Sequence, residues 1–156
     1  MLSAVRFEPG QRVLDLGCGW GLVGVLAAKI CGAENVAMCD KDPLAVEAAR
    51  RNAEINGVPE ARVYVSDGLS GVEETGFDLI LSNPPYQSDF SVAKSFVEKG
   101  FNRLKIGGTF YMVTKRREWY KRKFIAVFGG VRIREIDGYY VFEAQKRQER
   151  YAATRS

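Results

Sequence analysis

Histidine is absent from the 156-residue sequence. That removes a Ser-His-Asp triad and any histidine-based metal site. Cysteine is sparse: Cys18, Cys31 and Cys39 are odd in number and lack metal-ligand spacing. Such usage argues against a disulfide framework and for a reducing compartment, so the expected localisation is cytoplasmic. No apolar run is long enough to span a membrane, and the opening Met1-Leu2-Ser3-Ala4-Val5-Arg6 lacks the core of a signal peptide. No membrane partner is expected. Repeats and low-complexity linkers are missing too. The length suits one domain over 1–156, with an ordered body at 11–146 and a polar, frayed tail at 147–156.

What is present is unevenly charged. Residues 1–114 carry 11 Lys+Arg against 14 Asp+Glu, whereas residues 115–156 carry 12 against 5. Six of the later cations fall in Lys115-Arg116-Arg117-Glu118-Trp119-Tyr120-Lys121-Arg122-Lys123. A basic cluster with embedded aromatics fits a polyanion, although a solvated helix start reads the same way.

Periodicity predicts strands alternating with helices. Strands are expected at Gln11–Leu16, Asn35–Asp40, Ala61–Asp67, Phe77–Ser82 and Thr109–Thr114. Helices are expected from the Gly17–Gly21 loop to about Cys31, from Asp42-Pro43 to Asn56-Gly57, over Phe90–Leu104 and over Glu118–Phe128. Ile106-Gly107-Gly108 reads as a turn before the fifth strand. Val131–Ile136 and Tyr139–Gln145, joined by Asp137-Gly138, read as a hairpin. The nine residues 68–76 span at most ~30 Å, so they hold a helical turn at most. The fold class is therefore α/β: a Rossmann-like, doubly wound seven-stranded sheet, mostly parallel, closed by a C-terminal antiparallel hairpin.

Ligands of such sheets collect at the carboxyl ends of the strands. The first strand ends Asp15-Leu16-Gly17-Cys18-Gly19-Trp20-Gly21, with Leu22 where a dinucleotide fingerprint needs its third glycine. A carboxylate beside a glycine loop disfavours a pyrophosphate and suits a cation, such as the sulfonium and ammonium of S-adenosylmethionine. The second strand ends at Asp40, followed by Lys41, at a spacing that lets an acid accept from ribose hydroxyls. The third ends Ser66-Asp67-Gly68, where a carboxylate can accept from an adenine amine. The fourth ends Ser82-Asn83-Pro84-Pro85-Tyr86. Two prolines without N–H groups stiffen this bend, leaving one side-chain amide, bare carbonyls and a ring. That set suits a flat substrate bearing an NH2 group.

These motifs resemble those of class I S-adenosylmethionine-dependent methyltransferases over about Val13–Lys146. Val13–Gly21 is similar to that family's first motif. Asp40 matches its ribose-binding acid, Asp67 its adenine-contacting acid, and Asn83-Pro84-Pro85-Tyr86 its amino-group motif. Gly107-Gly108, Val127-Phe128-Gly129-Gly130 and Gly138-Tyr139-Tyr140-Val141-Phe142 bring the chain closest to the small-domain methyltransferases, which include ribosomal RNA guanine-N2 enzymes. The resemblance implies strand order 3-2-1-4-5-7-6, S-adenosylmethionine as cofactor, and cofactor contacts at Asp15, Gly17, Cys18, Gly19, Gly21, Asp40, Lys41, Asp67, Gly68 and Asn83. It implies catalysis at Asn83, Pro84, Pro85 and Tyr86. Such proteins carry more chain before the first motif than the 12 residues present here. A partner domain or oligomer completing the N-terminal side of the pocket is one expectation.

Three substrates share this bend: a base in RNA, adenine in DNA, and a glutamine amide. The parallel fifth strand ends on the same edge as the bend, which puts Lys115, Arg116 and Arg117 there with Trp119 and Tyr120 available to stack. RNA, ribosomal RNA in particular, is the expected partner, with guanine N2 as the target. A module that binds cofactor and RNA without turnover is the alternative from another class.

Overall fold

The apolar runs of this sequence cannot satisfy their backbone groups alone, and they pair into one sheet. In the computed structural model, which describes residues 4–84 and 90–152, the strands are β1 (Val13–Leu16), β2 (Val36–Asp40), β3 (Arg62–Val65), β4 (Phe77–Ser82), β5 (Leu104–Thr114), β6 (Arg132–Ile136) and β7 (Tyr139–Gln145). Helices α1 (Leu22–Cys31), α2 (Pro43–Ile55), α3 (Phe90–Arg103) and α4 (Glu118–Phe128) intervene. The sheet order is β3-β2-β1-β4-β5-β7-β6. The first five strands pair in parallel and β7 runs antiparallel to both β5 and β6. Asp137 and Gly138 turn the hairpin with φ of 51° and 80°, the left-handed pair that a type I′ turn requires.

The two faces of the sheet are built from different residues. One is aromatic: Phe77, Phe96, Phe101, Phe110, Phe124, Phe128 and Phe142 pack with α3 and α4. The other is small: Ala27, Ala28, Ala49, Ala53, Val13, Val36 and Met38 pack with α1 and α2. Small residues draw α1 close. A Cβ on Gly24 would meet Met38 Sδ at 2.3 Å, and one on Gly21 would meet Ala49 Cβ at 3.0 Å. Asp42 caps α2 by accepting from the Leu44 N–H at 3.0 Å, with Pro43 at its first position.

Two local expectations fail for reasons of packing. Gly107-Gly108 is not a turn before β5. The strand begins at Leu104 and slips register against β4 between Phe77 and Leu79. Gly108 lies where a Cβ would sit 2.7 Å from the Phe77 carbonyl, so glycine lets two backbones meet inside a bulged strand. The short connection between β3 and β4 is pinned in place: Arg62 Nε and the Tyr64 hydroxyl donate to Glu74 at 2.7 and 2.9 Å, and the Arg103 guanidinium donates to the Val72 and Leu69 carbonyls. The tail does not fray through Ala152. Tyr151 lies edge-on to Phe101, its hydroxyl donates to the Glu98 carbonyl at 3.0 Å, and the Ala152 N–H reaches the Val127 carbonyl at 2.9 Å.

Candidate functional site

Parallel strands must all end at one edge, and here that edge gathers four chemically distinct loops. The β1 loop is tied to β2: the Gly17 and Cys18 N–H groups both donate to the Cys39 carbonyl at 2.9 Å. Asp40 then holds two loops at once. Its carboxylate accepts from the Gly19 N–H at 2.9 Å and from the Asp42 N–H at 3.0 Å. Next along, the Ser66 N–H donates to the Asp40 carbonyl at 2.9 Å. The Ser66 hydroxyl donates to the Gly68 carbonyl and accepts from the Gly71 N–H, each at 2.8 Å. The strand ends are thus fixed to one another in the chain's own hydrogen bonds.

They enclose a cavity of about 220 Å³ lined by Leu16, Gly17, Cys39, Asp40, Lys41, Ser66, Asp67, Gly68, Asn83, Val92 and Phe96. Of the residues expected to hold a cofactor, the structure brings Gly17, Asp40, Lys41, Asp67, Gly68 and Asn83 to this wall. Asp15, Cys18, Gly19 and Gly21 do not line it. Gly21 instead meets Ala49, and Gly19 serves Asp40. Asp15 is buried, with its carboxylate accepting from the Gly24 N–H at 3.1 Å. Val92 and Phe96 were not singled out from the sequence. Their spacing of four marks one face of α3, but only the tertiary packing turns that face toward the cavity.

This chemistry selects among ligands. A dinucleotide would seat its pyrophosphate on the first turn of α1. That position is already filled by the Asp15 carboxylate, and Asp40 and Asp67 add negative charge nearby. A phosphate is disfavoured three times over. An uncharged adenosine moiety fits: carboxylates for ribose hydroxyls and an exocyclic amine, and Val92 and Phe96 as an apolar wall for a base. Burial pushes the Asp15 carboxyl up to about 7, partly opposed by the Gly24 hydrogen bond and reinforced by the Asp40 charge. Burial also raises the thiols. Cys39 is pushed up to about 12, and Cys18 is raised further with the help of Asp15. Both thiols stay protonated at neutral pH, which removes them as nucleophiles.

At the other side of the edge, Asn83 is exposed at the rim while Pro84 is buried behind it. Pro85 and Tyr86 lie outside the described residues. The side chain of Ser82 is fully buried, and its hydroxyl has no hydrogen-bond partner among the described residues. β4 and β5 run parallel with Ser82 opposite Met112, so the end of β5 at Thr114 stands level with the bend. Lys115 and Arg116 follow it, both exposed. Two further cations of the cluster are held in ion pairs. Arg117 pairs with Glu118 at 2.6 Å, and Lys123 pairs with Glu98 of α3. Tyr120 is not available to stack: it is 5% exposed and packs against Phe90 and Phe142. Trp119 stacks on Phe90, ring centroids 4.4 Å apart and 14° between planes. An amphipathic helix start must bury its apolar side, and α4 buries these rings against α3.

Comparison with known proteins places this geometry among relatives. The family described as "Methyltransferase small domain" matches residues 1–143. The chain is 38% identical over 137 residues to ribosomal RNA small subunit methyltransferase C of Hahella chejuensis, covering 85% of this chain and 40% of that protein. It is 32% identical over 139 residues to YbxB of Bacillus subtilis, covering 86% of this chain and 69% of that protein. Among solved structures, a T. thermophilus 16S rRNA N2 methyltransferase (RsmC), in complex with AdoMet and guanosine, superposes with a TM-score of 0.82 at 30% identity. That match covers 90% of this chain and 38% of that one. The chain thus spans about two fifths of the length of two of these relatives.

Proposed function

The chain belongs to the methyltransferase small-domain family, and from that premise we propose that it transfers a methyl group from S-adenosylmethionine to an exocyclic base amine of RNA, guanine N2 of ribosomal RNA being the substrate. One observation carries the reading. Asn83 stands at the mouth of the cavity lined by Asp40 and Asp67, and the exit of β5 presents Lys115 and Arg116 on the same edge.

S-adenosylmethionine, when bound, supplies an electrophilic methyl group on a sulfonium. The remaining work belongs to the chain. Asp40 and Asp67 would hold the adenosine moiety, and Val92 and Phe96 would supply an apolar wall for its base. The Asn83 side-chain oxygen and the Pro84 carbonyl accept the two N–H bonds of the substrate amine. An aromatic amine is a poor nucleophile because its lone pair is delocalised into the ring. Holding both protons in fixed acceptors orients that lone pair and stabilises the positive charge that grows on nitrogen as the methyl transfers. The methylated nitrogen, acidified by its positive charge, would release its surplus proton to water while the spent donor leaves as a neutral thioether, so no strong general base is required, in keeping with a sequence that lacks histidine. Tyr86, next to the bend in sequence, takes the stacking role on the base.

The test is transfer of labelled methyl from S-adenosylmethionine to methylation-deficient ribosomal RNA, DNA and a glutamine-bearing release factor. Label in N2-methylguanosine, identified by nucleoside mass spectrometry, is the expected result. Label confined to DNA adenine or to protein overturns the substrate. Cofactor binding with no transfer to any of them overturns the enzyme reading in favour of a binding module.

A further inference from the structure

The exit of β5 continues the alternation of the strand beyond its last paired residue. Met112 packs in the aromatic core and Val113 in the small-residue core, on opposite faces of the sheet. Lys115 and Arg116 keep that alternation. The Arg116 guanidinium lies over the ring of Phe90 at 5.2 Å, on the aromatic side. The Lys115 ammonium lies over the ring of Tyr139 at 5.1 Å, and Tyr139 packs with the small-residue side. Two cation–aromatic pairs therefore straddle the edge of the sheet, one to each face, at the end of β5, the strand that neighbours the one leading to Asn83.

The two pairs differ in build. Trp119 covers one face of Phe90 as a parallel stack, so Arg116 takes the other. The result is a three-layer pillar joining the first turns of α3 and α4. At its outer end the Arg116 guanidinium carbon stands 5.2 Å from the Phe90 ring centroid, a cation–aromatic contact. The backbone below it is fixed too, since the Arg116 N–H donates to the Thr114 hydroxyl at 3.2 Å. An amine presented at Asn83 from within a strand has a phosphate on each side of its nucleotide.

We propose that Lys115 and Arg116 form a two-sided clamp for single-stranded RNA, gripping the phosphates on either side of the nucleotide presented to Asn83, with Phe90–Trp119 and Tyr139 as the rings that hold the two cations in place. This rests on the proposed RNA substrate. It moves the aromatic contribution from base stacking by Trp119 or Tyr120 to the support of phosphate-binding cations.

Binding of a short fluorescent single-stranded oligoribonucleotide with one guanine, followed across salt concentrations, tests the clamp. Each phosphate contact contributes about 0.7 to the slope of log affinity against log salt for a single strand. Lys115→Ala and Arg116→Ala should each lower the slope by that amount, and the double variant by about 1.4. Arg51→Ala, which removes a distant exposed cation, should leave it unchanged. Arg116→Lys should keep the slope but weaken binding, because an ammonium lacks the planar fork of donors that a guanidinium offers to a phosphate. Unchanged slopes in either single variant, or wild-type affinity in Arg116→Lys, overturn the clamp. Methyl transfer to the same oligonucleotide and to ribosomal RNA is read in parallel. Binding with the expected slopes but no transfer leaves the clamp standing and removes the enzyme reading. Transfer with unchanged slopes does the reverse.

Discussion

The two halves of the functional edge are built on opposite terms. On the β1–β3 side, acidic side chains and backbone groups are tied to one another in a network within the chain: Gly17 and Cys18 to Cys39, Gly19 and Asp42 to Asp40, Gly71 to Ser66. On the β4–β5 side, side chains reach outward, with Asn83 exposed and Arg116 over the ring of Phe90. A closed hydrogen-bond network gives a pocket whose shape precedes its ligand. An edge of projecting cations gives a surface that a flexible polymer can settle on. The difference teaches which losses should appear in turnover, which in cofactor affinity, and which in neither.

The comparison breaks most sharply at Asn83. Asn83→Ala removes one acceptor for the amine protons and should lower turnover by about 100- to 1000-fold, as the loss of one preorganised polar group does elsewhere. Equilibrium binding of S-adenosylmethionine, measured by calorimetry, should change little. Full turnover in this variant would end the assignment of the bend as the reacting site. Asp40→Ala should do the opposite. It removes the acceptor of two loop N–H groups as well as the proposed ribose partner, and cofactor affinity should fall by about 10- to 100-fold. Cofactor affinity equal to the wild type's would show that the network is not what shapes the pocket.

A pH series sharpens the same contrast. Asp15 has its folded-state pKa raised from 3.8 to about 7, so the folded protein favours the protonated carboxyl. Its contribution to stability is fully present below the unfolded value and is lost as pH rises through the folded value. Stability should therefore decline across that window relative to an Asp15→Asn variant, which cannot titrate there. Parallel melting-temperature profiles of the two proteins would contradict the burial of this group. The smallest effect belongs to the tail, remote from both halves. Tyr151→Phe removes one hydroxyl bonded to Glu98 and Asn102 and should cost about 0.5–1.5 kcal/mol in chemical denaturation, with activity intact.

Much of this was legible beforehand, and the reasons differ from part to part. Asp42-Pro43 and Asp137-Gly138 announce a helix start and a hairpin through local backbone preference alone, and both occur as read. The acids at Asp40 and Asp67 are legible because a parallel sheet puts every strand end at one edge. Gly107-Gly108 misleads because a glycine pair signals a turn and a close backbone approach equally well. Trp119 and Tyr120 mislead for a related reason. An aromatic beside cations reads the same whether it faces a ligand or a core, and only α3 decides that these two face inward. Val92 and Phe96 were invisible as pocket residues because α3 has several apolar positions and the sequence does not say which turn overhangs the cavity. Asp15 was read as a partner for a cation in the pocket, yet its carboxylate turns to the first turn of α1.

The sequence by itself determined the order and type of the elements, the acidic and glycine-rich strand ends, and the basic bias of the last quarter. Short-range preference and side-chain period set these features before any long-range contact forms. Tertiary structure alone decided which carboxylate faces the cavity and which caps a helix, which aromatics are core, and which of the clustered cations lie over an aromatic ring. Those choices depend on helices packing across the sheet, where a side chain's neighbours are far away in the chain.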